Sequence, residues 1–92
     1  MADFTVRVEL HGANADDYVL LHDKMQAKGY FKEIIHSDGK RYKLPMAEYI
    51  TTKNKAASDI CREVVNIASE VKKYPDVLVT KSETRAWSLS IA

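Results

Sequence analysis

A single cysteine, Cys61, rules out an internal disulfide framework, and no apolar stretch reaches signal-peptide or membrane length. A reducing, cytoplasmic setting without membrane contact is therefore expected. Three glycines and two prolines leave no room for a flexible linker, and 46% hydrophobic with 29% charged residues exclude a disordered chain. Neither sign of charge prevails: fourteen basic and thirteen acidic side chains give a formal charge of +1, so no global field pulls the protein onto nucleic acid. Any such binding must come from a local patch.

Also missing are the nucleophile elbow G-x-S-x-G, the Walker loop, the dinucleotide glycine fingerprint and paired-cysteine ribbons, which leaves the standard nucleophilic and nucleotide enzymes unsupported. The three histidines, His11, His22 and His36, show no ligand spacing and read as exposed imidazoles. No metal site and no cofactor is predicted. Cys61 sits in an apolar helical stripe and reads as a small hydrophobe in packing.

What is present is the pattern of one domain over all 92 residues. Phe4, Val6, Val8 and Leu10 alternate with polar residues, the period of a strand with one buried face. Asn14 caps a helix over about Asp16 to Lys28, with Asp16 and Asp17 at its positive end, Tyr18, Leu21 and Met25 on one stripe, and Gly29 as its stop. Tyr30 to His36 reads as a second strand, and Asp38-Gly39 supplies a tight reversal. Pro45 makes Arg41 to Pro45 an edge or loop, so the regular third strand is expected over about Met46 to Thr52.

Thr52 or Asn54 then caps a second helix carrying Ala57, Ile60, Cys61, Val64, Ile67, Ala68 and Val71 at spacings of three and four, with Lys72 and Lys73 at its negative end and Tyr74-Pro75 as its stop. Val77 to Val79 form a fourth strand, Lys81 to Arg85 a turn, and Trp87, Leu89 and Ile91 alternate with serines in a fifth. The order predicts an α+β domain: a ferredoxin-like βαββαβ antiparallel sheet, both helices on one face, plus an extra C-terminal strand.

That last strand is apolar and uncharged, so it must be paired or covered. It folds back on the fourth strand or crosses to a second copy, with Trp87, Leu89 and Ile91 as the interface of a homodimer. Filling its own protomer's core is the other role open to Trp87.

Two groups of residues carry candidate chemistry. Arg7, Glu9 and His11 share the outer face of the first strand, and Arg7 with His11 suits acid–base cleavage of RNA: the imidazole moves a proton and the guanidinium stabilises phosphate charge. Ordinary solvation of an exposed strand face explains the same residues. Around the Asp-Gly turn, His36, Lys40, Arg41, Tyr42 and Lys43 combine cations with an aromatic ring, suited to gripping phosphate and stacking on an unpaired base of single-stranded RNA. Solubility and edge protection are its plainer roles. An RNA-recognition motif is disfavoured, because the third strand offers Tyr49 alone in place of that module's basic, glycine-rich and aromatic pattern.

From Phe31 to Val65 the sequence F-K-E-I-I-H-S-D-G-K-R-Y-K-L-P-M-A-E-Y-I-T-T-K-N-K-A-A-S-D-I-C-R-E-V-V resembles the GhoS-type endoribonuclease antitoxins of type V toxin-antitoxin systems. The resemblance is carried by Ile50-Thr51-Thr52 running into Ala56-Ala57-Ser58-Asp59-Ile60. It implies a ferredoxin-like fold and cleavage of toxin messenger RNA. Arg7, His11 and the hairpin cations rest on the residue pattern and not on the resemblance. A non-catalytic dimeric module that binds a protein partner is the competing expectation, motivated by the balanced charge and the adhesive last strand.

Overall fold

The computed structural model describes residues Met1–Ala92. Its elements run β1 (Ala2–Glu9), α1 (Ala15–Ala27), β2 (Glu33–Ile35), β3 (Arg41–Lys43), β4 (Glu48–Lys53), α2 (Ala57–Ser69) and β5 (Asp76–Ser82). The alternation at the N-terminus makes β1 the central strand. It is antiparallel to β4 on one side, with Val6 opposite Tyr49, and to β5 on the other, with Val6 opposite Val79. Its inward residues Phe4, Val6 and Val8 are buried, as is Leu10 just beyond its end. They join Leu21 and Met25 of α1, Tyr49 of β4 and Ile60, Val64, Ile67 and Ala68 of α2 in one core.

Local chemistry explains the helix ends. The Asn14 side chain accepts from the Asp17 N–H at 2.9 Å while Asp17 accepts from the Asn14 N–H at 3.1 Å, a reciprocal capping box. The second helix departs from expectation at both ends. Its N-cap is Ala56, with no side-chain bond, because β4 continues through Lys53. It stops at Ser69, so Lys72 and Lys73 lie beyond it, and Lys72 instead reaches Asp17 of α1 at 3.9 Å. Cys61 is half-buried on the flank of this helix, short of the full burial its stripe predicted.

The expected second strand divides. Phe31 bridges Ile50 of β4, and the chain then forms a separate hairpin in which β2 pairs antiparallel with β3 across the Asp-Gly turn. Gly39 takes φ of 85° there, a conformation costly for a residue with a Cβ. After β3, the Lys32 ammonium reaches under the Pro45 loop and donates to the carbonyls of Leu44, Pro45 and Glu48 while lying 5.3 Å from the Tyr49 ring centroid. Burial pushes its pKa down, partly opposed by nearby Glu48. Lys32→Met leaves these carbonyls without their shared donor. It is expected to lower the unfolding free energy by about 2 kcal/mol and to speed amide exchange at Glu48; an unchanged urea midpoint would count against this account of the loop.

The C-terminal region departs most from expectation. Lys81 and Ser82, read as part of a turn, extend β5, with Ser82 opposite Asp3 and its hydroxyl 3.1 Å from that of Thr5. Arg85 then fastens the chain to β1, donating from Nε to Thr5 Oγ1 at 3.1 Å and from Nη2 to the Phe4 carbonyl at 2.8 Å. This clamp turns the tail away from β5 and towards the hairpin. The tail forms no continuous strand. Its one bridge joins Ile91 to Tyr42, flanked by Lys43 N–H to the Ser90 carbonyl at 2.9 Å and Ala92 N–H to the Arg41 carbonyl at 3.0 Å.

Candidate functional site

The outer face of β1 presents Arg7 and Glu9, whereas His11, read as sharing that face, lies in the turn beyond the end of the strand at Glu9; all three side chains are exposed. Arg7 lies opposite Glu48 on one neighbour and Leu78 on the other, yet forms no ion pair, which leaves its guanidinium free. Glu9 lies directly opposite Asp76, the first residue of β5. That register brings Asp76 to His11, whose Nε2 donates to Asp76 Oδ2 at 2.9 Å, while Nδ1 stands 3.8 Å from Glu9 Oε1. The carboxylate fixes the ring's orientation and tautomer and leaves Nδ1 as the nitrogen able to accept a proton. Asp76 is the member that reading the sequence missed. It lies 65 residues from His11, and no local spacing signals the contact.

The hairpin group is arranged differently. Strand alternation puts Tyr42 on the opposite face of β3 from Arg41 and Lys43. Tyr42 is half-buried, its ring centroid 6.3 Å from those of both Trp87 and His36, with Trp87 5.9 Å from His36 edge-on. Arg41 reaches Glu33 at 3.4 Å, whereas Lys40 and Lys43 point into solvent without an acidic partner. The cations and the aromatic ring therefore do not share one surface while the tail is docked. Leu89 is half-buried and Ile91 exposed.

No family model matches this chain, and no curated protein matches it either.

Two further features bear on where chemistry can occur. A groove of about 820 Å³ runs between the tail and the sheet, lined by Asp3, Phe31, Ile50, Arg85 and Trp87 among others. None of Arg7, Glu9, His11 and Asp76 lines it, so a ligand held there does not meet the imidazole. His22, expected on the surface, is half-buried against β4, with Nδ1 hydrogen-bonded to the hydroxyl of the fully buried Tyr49. Burial, then the charge of Lys32, pushes its pKa down. The ring is thus a structural partner of Tyr49, separate from the β1 face.

No helix is long and apolar enough to cross a membrane.

Proposed function

We propose that this chain is an endoribonuclease of the antitoxin kind, acting on single-stranded RNA as a homodimer on a ferredoxin-like scaffold. The Phe31–Ile50 bridge supports the scaffold, since neighbours then run β5, β1, β4 and the segment entering β2. One observation carries the activity: His11 is oriented by Asp76 at 2.9 Å in the turn that follows the strand presenting the unpaired Arg7. In this reading His11 Nδ1 takes the proton from a ribose 2′-hydroxyl, whose oxygen attacks the adjacent phosphorus. The P–O5′ bond breaks, the 5′-oxygen leaves with a proton from solvent, and a 2′,3′-cyclic phosphate remains. Arg7 neutralises charge on the non-bridging oxygens.

The test is incubation of purified protein with end-labelled single-stranded RNA. The expected products carry 2′,3′-cyclic phosphate and 5′-hydroxyl ends; RNA that stays intact with and without added divalent cation would overturn the reading.

The homodimer rests on the tail. Trp87, Leu89 and Ile91 follow Arg85, the last residue fastened to β1, and release of the tail beyond it would deliver the same contacts to the hairpin of a second copy, as in strand exchange. Sedimentation of the full chain is expected to give a dimer, and of a chain ending at Arg85 a monomer; a full chain that stays monomeric at high concentration removes the dimer from the proposal. A dimer that leaves RNA intact favours the non-catalytic module that binds a protein partner.

A further inference from the structure

We infer that Glu9, His11 and Asp76 form a binding site for a divalent cation of borderline hardness, Mn²⁺ or Zn²⁺, at the end of β1. Glu9 and Asp76 occupy directly opposed positions on neighbouring strands. Like charges placed so are ordinarily destabilising. Here no lysine or arginine pairs with either carboxylate, and His11 is the only basic group against both. One ligand atom from each residue lies within 4.8 Å of the other two. Donors bound to one cation at about 2.0–2.2 Å stand roughly 3–4 Å from each other, so modest side-chain rotation closes the set.

The donor types define the cation. An imidazole nitrogen with two carboxylate oxygens favours Mn²⁺ or Zn²⁺ over Ca²⁺, which takes six or more oxygens, and over Mg²⁺, which keeps its water. On binding, the cation replaces the proton that His11 Nε2 now shares with Asp76, or is held through Nδ1 beside Glu9. The Glu9, His11 and Asp76 side chains are 64%, 53% and 72% exposed, so coordination positions stay open to water and to an anionic ligand. Glu9 comes from a central paired strand and Asp76 from its neighbour, so the backbone spacing of the two carboxylates is set by the ladder.

This site stands independently of RNA cleavage. Where both hold, a cation on either ring nitrogen takes the lone pair that His11 needs as a base, so bound Mn²⁺ or Zn²⁺ inhibits cleavage.

The experiment is titration of the full chain with MnCl₂, followed by paramagnetic broadening of amide resonances, with ZnCl₂ as a diamagnetic competitor and no RNA present. Broadening should saturate and centre on Glu9 to Gly12 and Asp76 to Val77, and zinc should reverse it. His11→Ala and Glu9→Gln should each weaken binding at least about tenfold, while Asp38→Asn, which removes the single carboxylate beside His36, should leave it unchanged. Broadening spread over surface carboxylates, or undiminished in His11→Ala, would overturn the site. Both variants are at exposed positions, and their amide spectra report folding directly. Binding without RNA cleavage by the cation-free protein would sink the nuclease reading alone; cleavage without localised binding would sink the cation site alone.

Discussion

Replacing His11 with alanine is expected to slow RNA cleavage by about 10²–10⁴-fold, the usual contribution of a positioned general acid or base. The side chain is exposed and lies outside the core, so the substitution should leave the fold intact. Asp76→Asn provides the companion result. It removes the carboxylate acceptor that orients the ring and fixes its tautomer, so the rate should fall less than in His11→Ala. If His11→Ala cuts at the wild-type rate, the imidazole has no part in cleavage and any activity resides elsewhere. Arg7→Ala is informative in a second way. A lowered kcat with little change in KM marks a guanidinium used mainly in the transition state.

Removal of Glu63 is expected to lower stability as much as Lys32→Met does, and in a pH-dependent way. The Tyr30 hydroxyl donates to Glu63 Oε1 at 2.6 Å, Lys53 reaches the same oxygen at 3.1 Å, and Lys55 reaches the other oxygen at 3.4 Å. The Tyr30 hydrogen bond, followed by those lysines, holds the Glu63 carboxyl at a pKa of about 2, against some opposition from burial. The tyrosine responds in the opposite sense: burial and then Glu63 push its pKa up. The Lys53 ammonium also lies 4.4 Å from the Tyr30 ring centroid and donates to the Lys28 carbonyl at 2.8 Å, so the cluster ties α2 to β4 and to the end of α1.

A carboxyl lowered from its ordinary 4.5 to about 2 corresponds to about 3 kcal/mol before solvent screening. With 29% of the side chain exposed, about 2 kcal/mol is the expected loss in Glu63→Ala near neutrality. Because the folded pKa is depressed, the contribution is complete above the unfolded value and is lost as pH falls through the folded one. The gap between wild type and Glu63→Ala should therefore be full at pH 7 and close between about pH 4.5 and 2. Urea denaturation across that range checks it. A gap that persists at low pH would show that packing, and not charge, supplies the effect.

Much of the architecture was legible because it is local. The central strand followed from the alternation of Phe4, Val6, Val8 and Leu10, and α1 from the Asn14 cap and the Leu21–Met25 spacing. The helix stripe of Ile60, Val64, Ile67 and Ala68 was equally clear, though its boundaries were not. Ends depend on where neighbouring segments stop pairing, and the Lys53 register of β4 displaced the cap to Ala56. The hairpin cations were visible as residues, but their separation from Tyr42 came from strand alternation and from Trp87, which the tail brings to that ring.

The candidate site divides along the same line. Arg7 and Glu9 could be placed on one face from a period of two, because side-chain direction on a strand is a local property, whereas His11 falls in the turn beyond the strand. Asp76 could not, because only the antiparallel register of β1 with β5 brings it opposite Glu9 and within 2.9 Å of His11. The sequence by itself determined which residues face outward on the central strand. The tertiary structure decided which of them meet, and where the tail lies, because cross-strand register and the Arg85 clamp join positions separated by most of the chain.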